Sequence, residues 1–212
     1  MSAYPLTDSL RALVALLAIV NPIGAVPIFV AVTSDQTASD RVRTSRTTAI
    51  AVGITLLASA FAGQAILRFF GIDLDAFRVG GGLLILLMAI HMLQGSPNRA
   101  RNTPEETQEG VAKDEVAVVP LAIPLLAGPG SISTVIITAQ NAVGWFGYIA
   151  LLLSILIVAG VVYVTLRMAV PLSVRLGETG IRIATRVLGL LLAAIAVQFM
   201  ALGIRGLLPG LA

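Results

Sequence analysis

Residues 10–32 read LRALVALLAIVNPIGAVPIFVAV, an apolar run with a single charged side chain, Arg11. About 20 apolar residues are enough to cross the hydrocarbon core of a bilayer. Near the middle of the run stands Asn21-Pro-Ile-Gly24, in which the proline removes a backbone hydrogen bond and the glycine lowers the cost of unwinding. The stretch therefore predicts a membrane-spanning helix that is broken near its centre.

The composition of the whole chain also indicates a membrane protein. Of its 212 residues, 57% are hydrophobic and 12% are charged, which is too little charge to cover a soluble domain of this size. The absence of cysteine and the single histidine exclude a disulfide framework and a thiolate zinc site, so we expect no cofactor and no metal site. The sequence pI is about 10.0, but the arginines flank apolar runs and therefore indicate topology rather than nucleic-acid binding.

Window hydropathy predicts six spans, and the first is too long for a signal-peptide core. The spans are 10–32, 47–70, 76–95, 116–139, 144–168 and 183–207. Most basic residues lie in the connections 33–46, 96–115 and 169–182 or at their edges. By the positive-inside rule these loops are cytoplasmic, and both termini lie outside.

Two pairs of motifs predict an internal duplication. Arg78-Val-Gly-Gly-Gly-Leu-Leu84 in the third span matches Arg186-Val-Leu-Gly-Leu-Leu-Leu192 in the sixth. Asn21-Pro-Ile-Gly24 in the first span parallels Gly128-Pro-Gly-Ser131 in the fourth. Chance similarity between Leu-rich helices is the alternative to duplication.

The duplication predicts an all-α, polytopic fold of six transmembrane helices in two inverted three-helix repeats, with broken first and fourth helices. Each half has an odd number of spans, so the halves are inverted relative to each other, as in many secondary transporters. The first repeat covers residues 1–95, the cytoplasmic loop 96–115, and the second repeat 116–212.

The two breaks are the predicted binding site. Five of the ten prolines lie in these two helices, at positions 22, 27, 120, 124 and 129. A broken helix has a new N-terminus, whose N–H groups and dipole suit a carboxylate, and free carbonyls, which suit an ammonium or Na+. A pair of proline kinks packed by small residues is the alternative. The candidate substrate-binding residues are Asn21, Pro22, Gly24, Gly128, Pro129, Gly130, Ser131, Ser133 and Thr134.

Four motifs carry a resemblance to a known family. They are Asn21-Pro-Ile-Gly-Ala-Val-Pro-Ile-Phe29, Ala76-Phe-Arg-Val-Gly-Gly-Gly82, Val119-Pro-Leu-Ala-Ile-Pro-Leu-Leu-Ala-Gly-Pro-Gly-Ser-Ile-Ser-Thr-Val135 and Leu188-Gly-Leu-Leu-Leu-Ala-Ala-Ile-Ala-Val-Gln-Phe199. The chain resembles the MarC family, also described as neutral amino acid transporters, over nearly its whole length. The resemblance implies a six-span protein of a prokaryotic inner membrane, with both termini outside. It also implies uptake or exchange of small neutral amino acids for some members.

Three other residues have two readings each. His91 could couple transport to protons, or it is an interfacial histidine without a mechanistic role. Arg78 and Arg186 could form a gate, or they anchor the helices at the interface through ion pairs. No Asp or Glu lies in the middle of a span, which argues against a carboxylate relay. Coupling to H+ through His91 or to Na+ through freed carbonyls therefore stays open.

These observations predict a secondary transporter that moves a small zwitterionic amino acid of the glycine, alanine or serine type by alternating access. An exporter or exchanger of another small metabolite is the alternative, and a channel is a further one. An intramembrane enzyme is disfavoured, because the histidine is near the membrane edge and no carboxylate pair occurs at depth. The expected partners are the amino acid and the bilayer, with no nucleic acid. The sixth span permits a homo-oligomer without requiring one.

Overall fold

The computed structural model describes residues 5–94, 126–208 and 210, with the backbone alone for residues 5–9 and 178. The described residues form helices and no β-strand, as the all-α prediction requires. The helices are α1 (Pro5–Val20), α2 (Pro22–Val32), α3 (Ala38–Phe69), α4 (Leu74–Gln94), α5 (Pro129–Asn141), α6 (Gly144–Arg167) and α7 (Ala169–Leu207).

Five stretches of the described chain are long and apolar enough to cross a membrane. They are Leu10–Val32, Ala38–Phe69, Leu74–Gln94, Gly144–Arg167 and Thr179–Leu207, and they correspond to five of the six predicted spans. The fold is thus that of a multi-pass membrane protein.

The predicted fourth span, 116–139, is only partly covered by the structure. α5 begins at Pro129 in its second half and runs two residues past its predicted end, to Asn141. Residues 116–125, with Pro120 and Pro124, lie outside the described residues, and so does the predicted loop 96–115.

The predicted loop 33–46 is mostly helical, because α3 already begins at Ala38. The hydroxyl of Thr37 caps this helix by accepting a hydrogen bond of 3.2 Å from the N–H of Asp40. Hydropathy locates only the apolar part of a helix. The hydropathy pattern therefore missed the polar first turns of α3, which lie outside the bilayer and whose start is specified by the capping residue Thr37.

The predicted loop 169–182 is also helical. α7 runs through it from Ala169 and bends at Gly177, whose φ of 60° and ψ of 178° are non-helical. Ala169 and Ile181, on either side of the bend, are both buried in the main core. Glycine accepts positive φ without steric cost, so a single residue turns the helix while its apolar side chains remain packed.

Small residues bring α4 and α7 together. A Cβ on Gly82 would lie 2.9 Å from the carbonyl oxygen of Ala196, and one on Gly189 would lie 3.2 Å from that of Ala89. Residue numbers thus rise along one helix as they fall along the other, so the two are antiparallel. In a bilayer such close approach is a main source of helix–helix affinity, because lipid tails are as apolar as the side chains they replace.

These two contacts are reciprocal. Gly82 and Gly189 are 107 positions apart, and so are their partners, Ala89 and Ala196. Pro22 and Pro129, which begin α2 and α5, differ by the same number. The sequence alignment that pairs Arg78 with Arg186 is therefore one residue out of the register given by the contacts.

Candidate functional site

The first break is a single residue. α1 ends at Val20, Asn21 adopts φ 50° and ψ 64°, and α2 begins at Pro22. Asn21 is the one described non-glycine residue with positive φ, a conformation that asparagine tolerates better than most residues. Its Oδ1 accepts a hydrogen bond of 3.0 Å from the N–H of Gly24. The first turn of α2 is therefore capped by the residue that interrupts the helix.

The spacing of the Asn-Pro-x-Gly motif follows from this cap. A Cβ on Gly24 would collide with the amide of Asn21, so only glycine leaves room for the capping side chain. Asn21 is buried, and its Nδ2 faces the thioether of Met92 at 3.9 Å. Sulfur is a weak acceptor, so the donor side of this amide is poorly satisfied.

The second break lacks such a cap. Gly128 precedes α5 with φ −79° and ψ 178°, and among the described residues no side chain caps the helix. Proline at the first position has no N–H, and the N–H groups of Gly130 and Ser131 have no acceptor four residues back in the helix. Gly128, Gly130 and Ser131 are buried, whereas Pro129 is exposed. The positive end of α5 is thus a buried group of donors.

Two hydroxyls next to the second break are used locally. Ser131 donates to the carbonyl of Gly128 at 2.9 Å and to that of Leu126 at 3.3 Å. Thr134 donates to the carbonyl of Gly130 at 2.8 Å. Both hydroxyls thus bond back to carbonyls three to five residues earlier in the chain, as Ser and Thr side chains commonly do. These bonds leave both side chains with acceptor capacity only.

Ser133 lies on another side of α5. It is buried against α4, where a Cβ on Gly81 would be 2.7 Å from the Cβ of Ser133. Among the described residues its hydroxyl makes no hydrogen bond.

The two breaks meet where α1 ends and α5 begins. A Cβ on Gly130 would lie 3.1 Å from Cγ1 of Ile85, 3.2 Å from Sδ of Met88 and 3.4 Å from Cγ2 of Ile19. Ile19 is two residues before Asn21 in the chain, and Ile85 and Met88 are in the middle of α4. The space around the α5 N-terminus is therefore bounded by apolar side chains from two other helices.

The predicted residues are not all at one depth. Asn21 is next to Met92, and Ser133 is next to Gly81. At 1.5 Å per residue, these two positions are about 16 Å apart along α4. A ligand the size of glycine cannot contact both. Gly128, Pro129, Gly130 and Ser131 thus lie at the start of α5, beside the end of α1 and the Asn21-Pro22-Ile-Gly24 break, whereas Ser133 and Thr134 lie about one turn further along α5.

Sequence reasoning missed the contribution of α4. Gly81, Ile85, Met88 and Met92 all face α5 or the first break. Their spacing of three or four residues puts them on one helix face. That periodicity was visible in the sequence, but a membrane helix is apolar all round, so only contacts show which face is internal.

The other candidates lie away from the breaks. Arg78 pairs with Asp75 at 2.7 Å and donates to Oδ1 of Asn141 at 2.6 Å, so it ties the start of α4 to the end of α5. Arg186 is exposed. Nδ1 of His91 is 2.7 Å from the carbonyl oxygen of Leu87 in its own helix. Within the described ranges no cluster of three His, Asp or Glu side chains could hold a metal ion.

The comparisons with known proteins cover nearly the whole chain. A family model described as "MarC family integral membrane protein" matches residues 6–208. The UPF0056 membrane protein YhcE of Escherichia coli is 40% identical over 93% of this chain and 92% of its own length. The UPF0056 membrane protein MJ1677 of Methanocaldococcus jannaschii is 43% identical over 90% and 92%. YvbG of Bacillus subtilis is 34% identical over 92% and 93%. These names state no substrate, and no solved structure matches the chain.

Proposed function

The chain belongs to the MarC family of integral membrane proteins, and from this premise we propose that it is a secondary transporter of small neutral amino acids. The substrates are of the glycine, alanine or serine type, and they cross the inner membrane by alternating access between two inverted repeats. Both termini are outside. The observation that carries the proposal is the buried N-terminus of α5, which has no side-chain cap.

This N-terminus suits the carboxylate of an amino acid. The N–H groups of Gly130 and Ser131 point out of the first turn, and the helix dipole adds positive potential there. An uncapped helix end in a bilayer costs several kcal/mol unless water or a ligand supplies acceptors. A bound carboxylate supplies two acceptor oxygens without any cationic side chain, which agrees with a net neutral substrate.

The end of α1 suits the ammonium group. Pro22 has no N–H, so the carbonyl of Ala18 receives no hydrogen bond from it. Ala18 is next to Ile19, whose side chain borders Gly130. The N–H groups of α5 that would bind the carboxylate and the freed carbonyl of α1 therefore belong to neighbouring helix ends. Ile85 and Met88 pack closely around Gly130, within 3.1–3.2 Å of where its Cβ would lie, so a substrate here could carry only a small side chain, which favours glycine and alanine over larger residues.

The reciprocal contacts between α4 and α7 support the inverted repeat. Both pairs place a glycine of one helix against a backbone carbonyl of the other. The two broken helices begin at prolines separated by the same number of positions. In transporters built from inverted repeats, substrate sites occur at the repeat interface, beside interrupted helices.

The test is thermal unfolding of the purified protein in detergent with a panel of amino acids, followed by uptake into proteoliposomes. A ligand at 100 times its Kd stabilises the folded state by about 2.7 kcal/mol, which raises Tm by roughly 5–10 °C in a chain of this length. We expect this shift with glycine, alanine or serine and not with leucine or glutamate.

The same melts with and without Na+, and at two pH values, distinguish coupling to Na+ from coupling to H+. Saturable uptake is expected, whereas conductance that does not saturate would indicate a channel. The absence of a shift with any amino acid at millimolar concentration, together with no uptake, would overturn the proposal.

A further inference from the structure

A groove between α3 and α6 lies on the outside of the helix assembly, away from the helix breaks. It encloses about 580 Å³ and is lined by Arg46, Ala49, Ile50, Gly53, Ile54, Leu57, Leu156, Ala159 and Tyr163. Its volume is within the range of small-molecule sites.

Small residues create the groove. A Cβ on Gly53 would be 3.5 Å from that of Ala159, so the two helices approach closely along its floor. Ile50, Ile54 and Leu156 form the walls and are about half exposed, at 49%, 62% and 57%. The groove is therefore open and apolar, and it runs along the lipid-facing surface of two membrane helices.

One end of the groove is basic. Arg46 lines it beside Tyr163. Arg167 donates to the hydroxyl of Tyr163 at 3.3 Å, and its guanidinium is 5.9 Å from the ring centroid. One arginine thus lines this end of the groove, and a second contacts a tyrosine that also lines it. This end is on the side of the arginine-rich connections, which we predict to be cytoplasmic.

The dimensions match one leaflet of a bilayer. From Arg46 to Leu57, α3 rises about 16 Å at 1.5 Å per residue. Half of the hydrocarbon core is about 15 Å thick. An acyl chain that begins at the basic end of the groove and follows it thus ends near the midplane of the bilayer.

We propose that this groove binds one anionic phospholipid, with an acyl chain along α3 and α6 and the headgroup phosphate between Arg46 and Arg167. Guanidinium groups bind phosphate oxygens through paired, charge-assisted hydrogen bonds, and the tyrosine holds one of them in place. Basic side chains at the cytoplasmic surface attract anionic lipids, whereas a zwitterionic headgroup gains much less from two positive charges.

The experiment is native mass spectrometry of the full-length protein with phosphatidylglycerol or phosphatidylethanolamine carrying the same acyl chains. We expect the wild type to retain at least about tenfold more phosphatidylglycerol, since two basic contacts favour it. The double variant Arg46→Gln/Arg167→Gln should lose that preference. Arg43→Gln/Arg175→Gln removes the same charge from exposed arginines outside the groove lining and should keep the preference.

A second pair of variants tests the apolar part. Ala159→Leu fills the groove and should lower retention of both lipids. Gly160→Leu adds bulk to the same helix where a Cβ meets nothing within 4 Å, and it should have no effect. Monodisperse elution and an unchanged Tm confirm folding of each variant.

Two results would overturn the proposal. One is equal retention of the two lipids by the wild type, or a preference that survives in the Arg46/Arg167 variant. The other is a dimer that Ala159→Leu dissociates and Gly160→Leu does not, because the groove would then hold a second copy of the chain. Neither result depends on whether an amino acid is transported.

Discussion

At both helix breaks, a proline occupies the first position of the helix that follows. The two breaks differ in whether a side chain caps that helix. At the first, Asn21 caps the new helix with its own side chain, at 3.0 Å from the N–H of Gly24. At the second, the corresponding residue is Gly128, which has no side chain, and the N-terminus of α5 is uncapped. Since both are buried, the second break needs an acceptor from outside the helix. The first does not, and this difference is why we propose the second break, rather than the first, as the place where substrate binds.

The largest expected effect comes from filling the second break. Gly130→Val places methyl groups against Ile85 and Met88, where even a Cβ would be 3.1–3.2 Å from side-chain atoms. It also covers the free N–H groups. We expect glycine uptake to fall by at least about 100-fold, with a stability loss of about 1–3 kcal/mol from overpacking.

Uptake and Tm of this variant are measured beside those of Gly160→Val, which has open space around its Cβ. Undiminished glycine affinity in Gly130→Val would show that the α5 N-terminus is not the binding site. The comparison between the breaks would then fail.

The next effect is structural and concerns the first break. Asn21→Ala removes the cap, at about 1 kcal/mol, and leaves an alanine at φ 50°, at about 1–2 kcal/mol. We expect Tm to fall by roughly 4–12 °C.

Asn21→Gly is the matched variant, because glycine accepts that φ and the loss relative to asparagine at a cap is only a few tenths of a kcal/mol. It should unfold within about 2 °C of the wild type and bind glycine within about threefold. If Asn21→Gly unfolded as easily as Asn21→Ala, the strain argument would fail. A large loss of affinity in Asn21→Gly would give the first break a binding role as well.

A smaller effect is expected when the second break is given a side-chain cap like that of the first. Gly128 has extended backbone angles that suit a serine cap, so Gly128→Ser supplies the missing acceptor from within the chain. Tm should stay constant or rise by about 1–2 °C. The cap competes with the substrate carboxylate, so the Kd for glycine should rise about tenfold, by roughly 1.4 kcal/mol. Titration by thermal shift measures both, and an unchanged Kd would contradict the assignment.

The smallest effect is expected outside both breaks. Arg78→Gln removes the pair with Asp75 and the hydrogen bond to Asn141 that joins α4 to α5. Partly exposed ion pairs contribute about 1 kcal/mol or less, so Tm should change by no more than about 4 °C. If Arg78 is part of a gate, uptake should fall severalfold while equilibrium affinity is kept. Normal uptake at normal expression would exclude the gate.

Much of the fold could be predicted because its signals are local. Apolar run length located five spans, and proline with glycine located the break at Asn21 and the start of α5 at Pro129. The helical segments 38–46 and 169–182 were missed because they are polar or amphipathic turns outside the bilayer, where hydropathy has no signal. One of them depends on the cap at Thr37, and the other on a turn at Gly177.

The candidate site could be predicted in part. The sequence pointed to Asn21 and Gly24 as a helix break, but the hydrogen bond by which Asn21 caps α2 was found only in the structure. The hydrogen bonds that the Ser131 and Thr134 hydroxyls donate to Gly128 and Gly130 are local, because each joins residues three or four positions apart. The separation of Ser133 from Asn21 is not, because it depends on how α4 lies between them.

The sequence by itself determined five of the membrane spans, the break at Asn21 and the start of a helix at Pro129, since hydropathy and backbone chemistry act within a few residues. Only the tertiary structure decided that Ile19 and α4 border the N-terminus of α5, that Gly82 and Gly189 make reciprocal contacts between α4 and α7, and that a basic-ended groove forms between α3 and α6. These features depend on contacts between helices distant in the chain. In a uniformly apolar helix, nothing in the residue pattern marks the face that makes them.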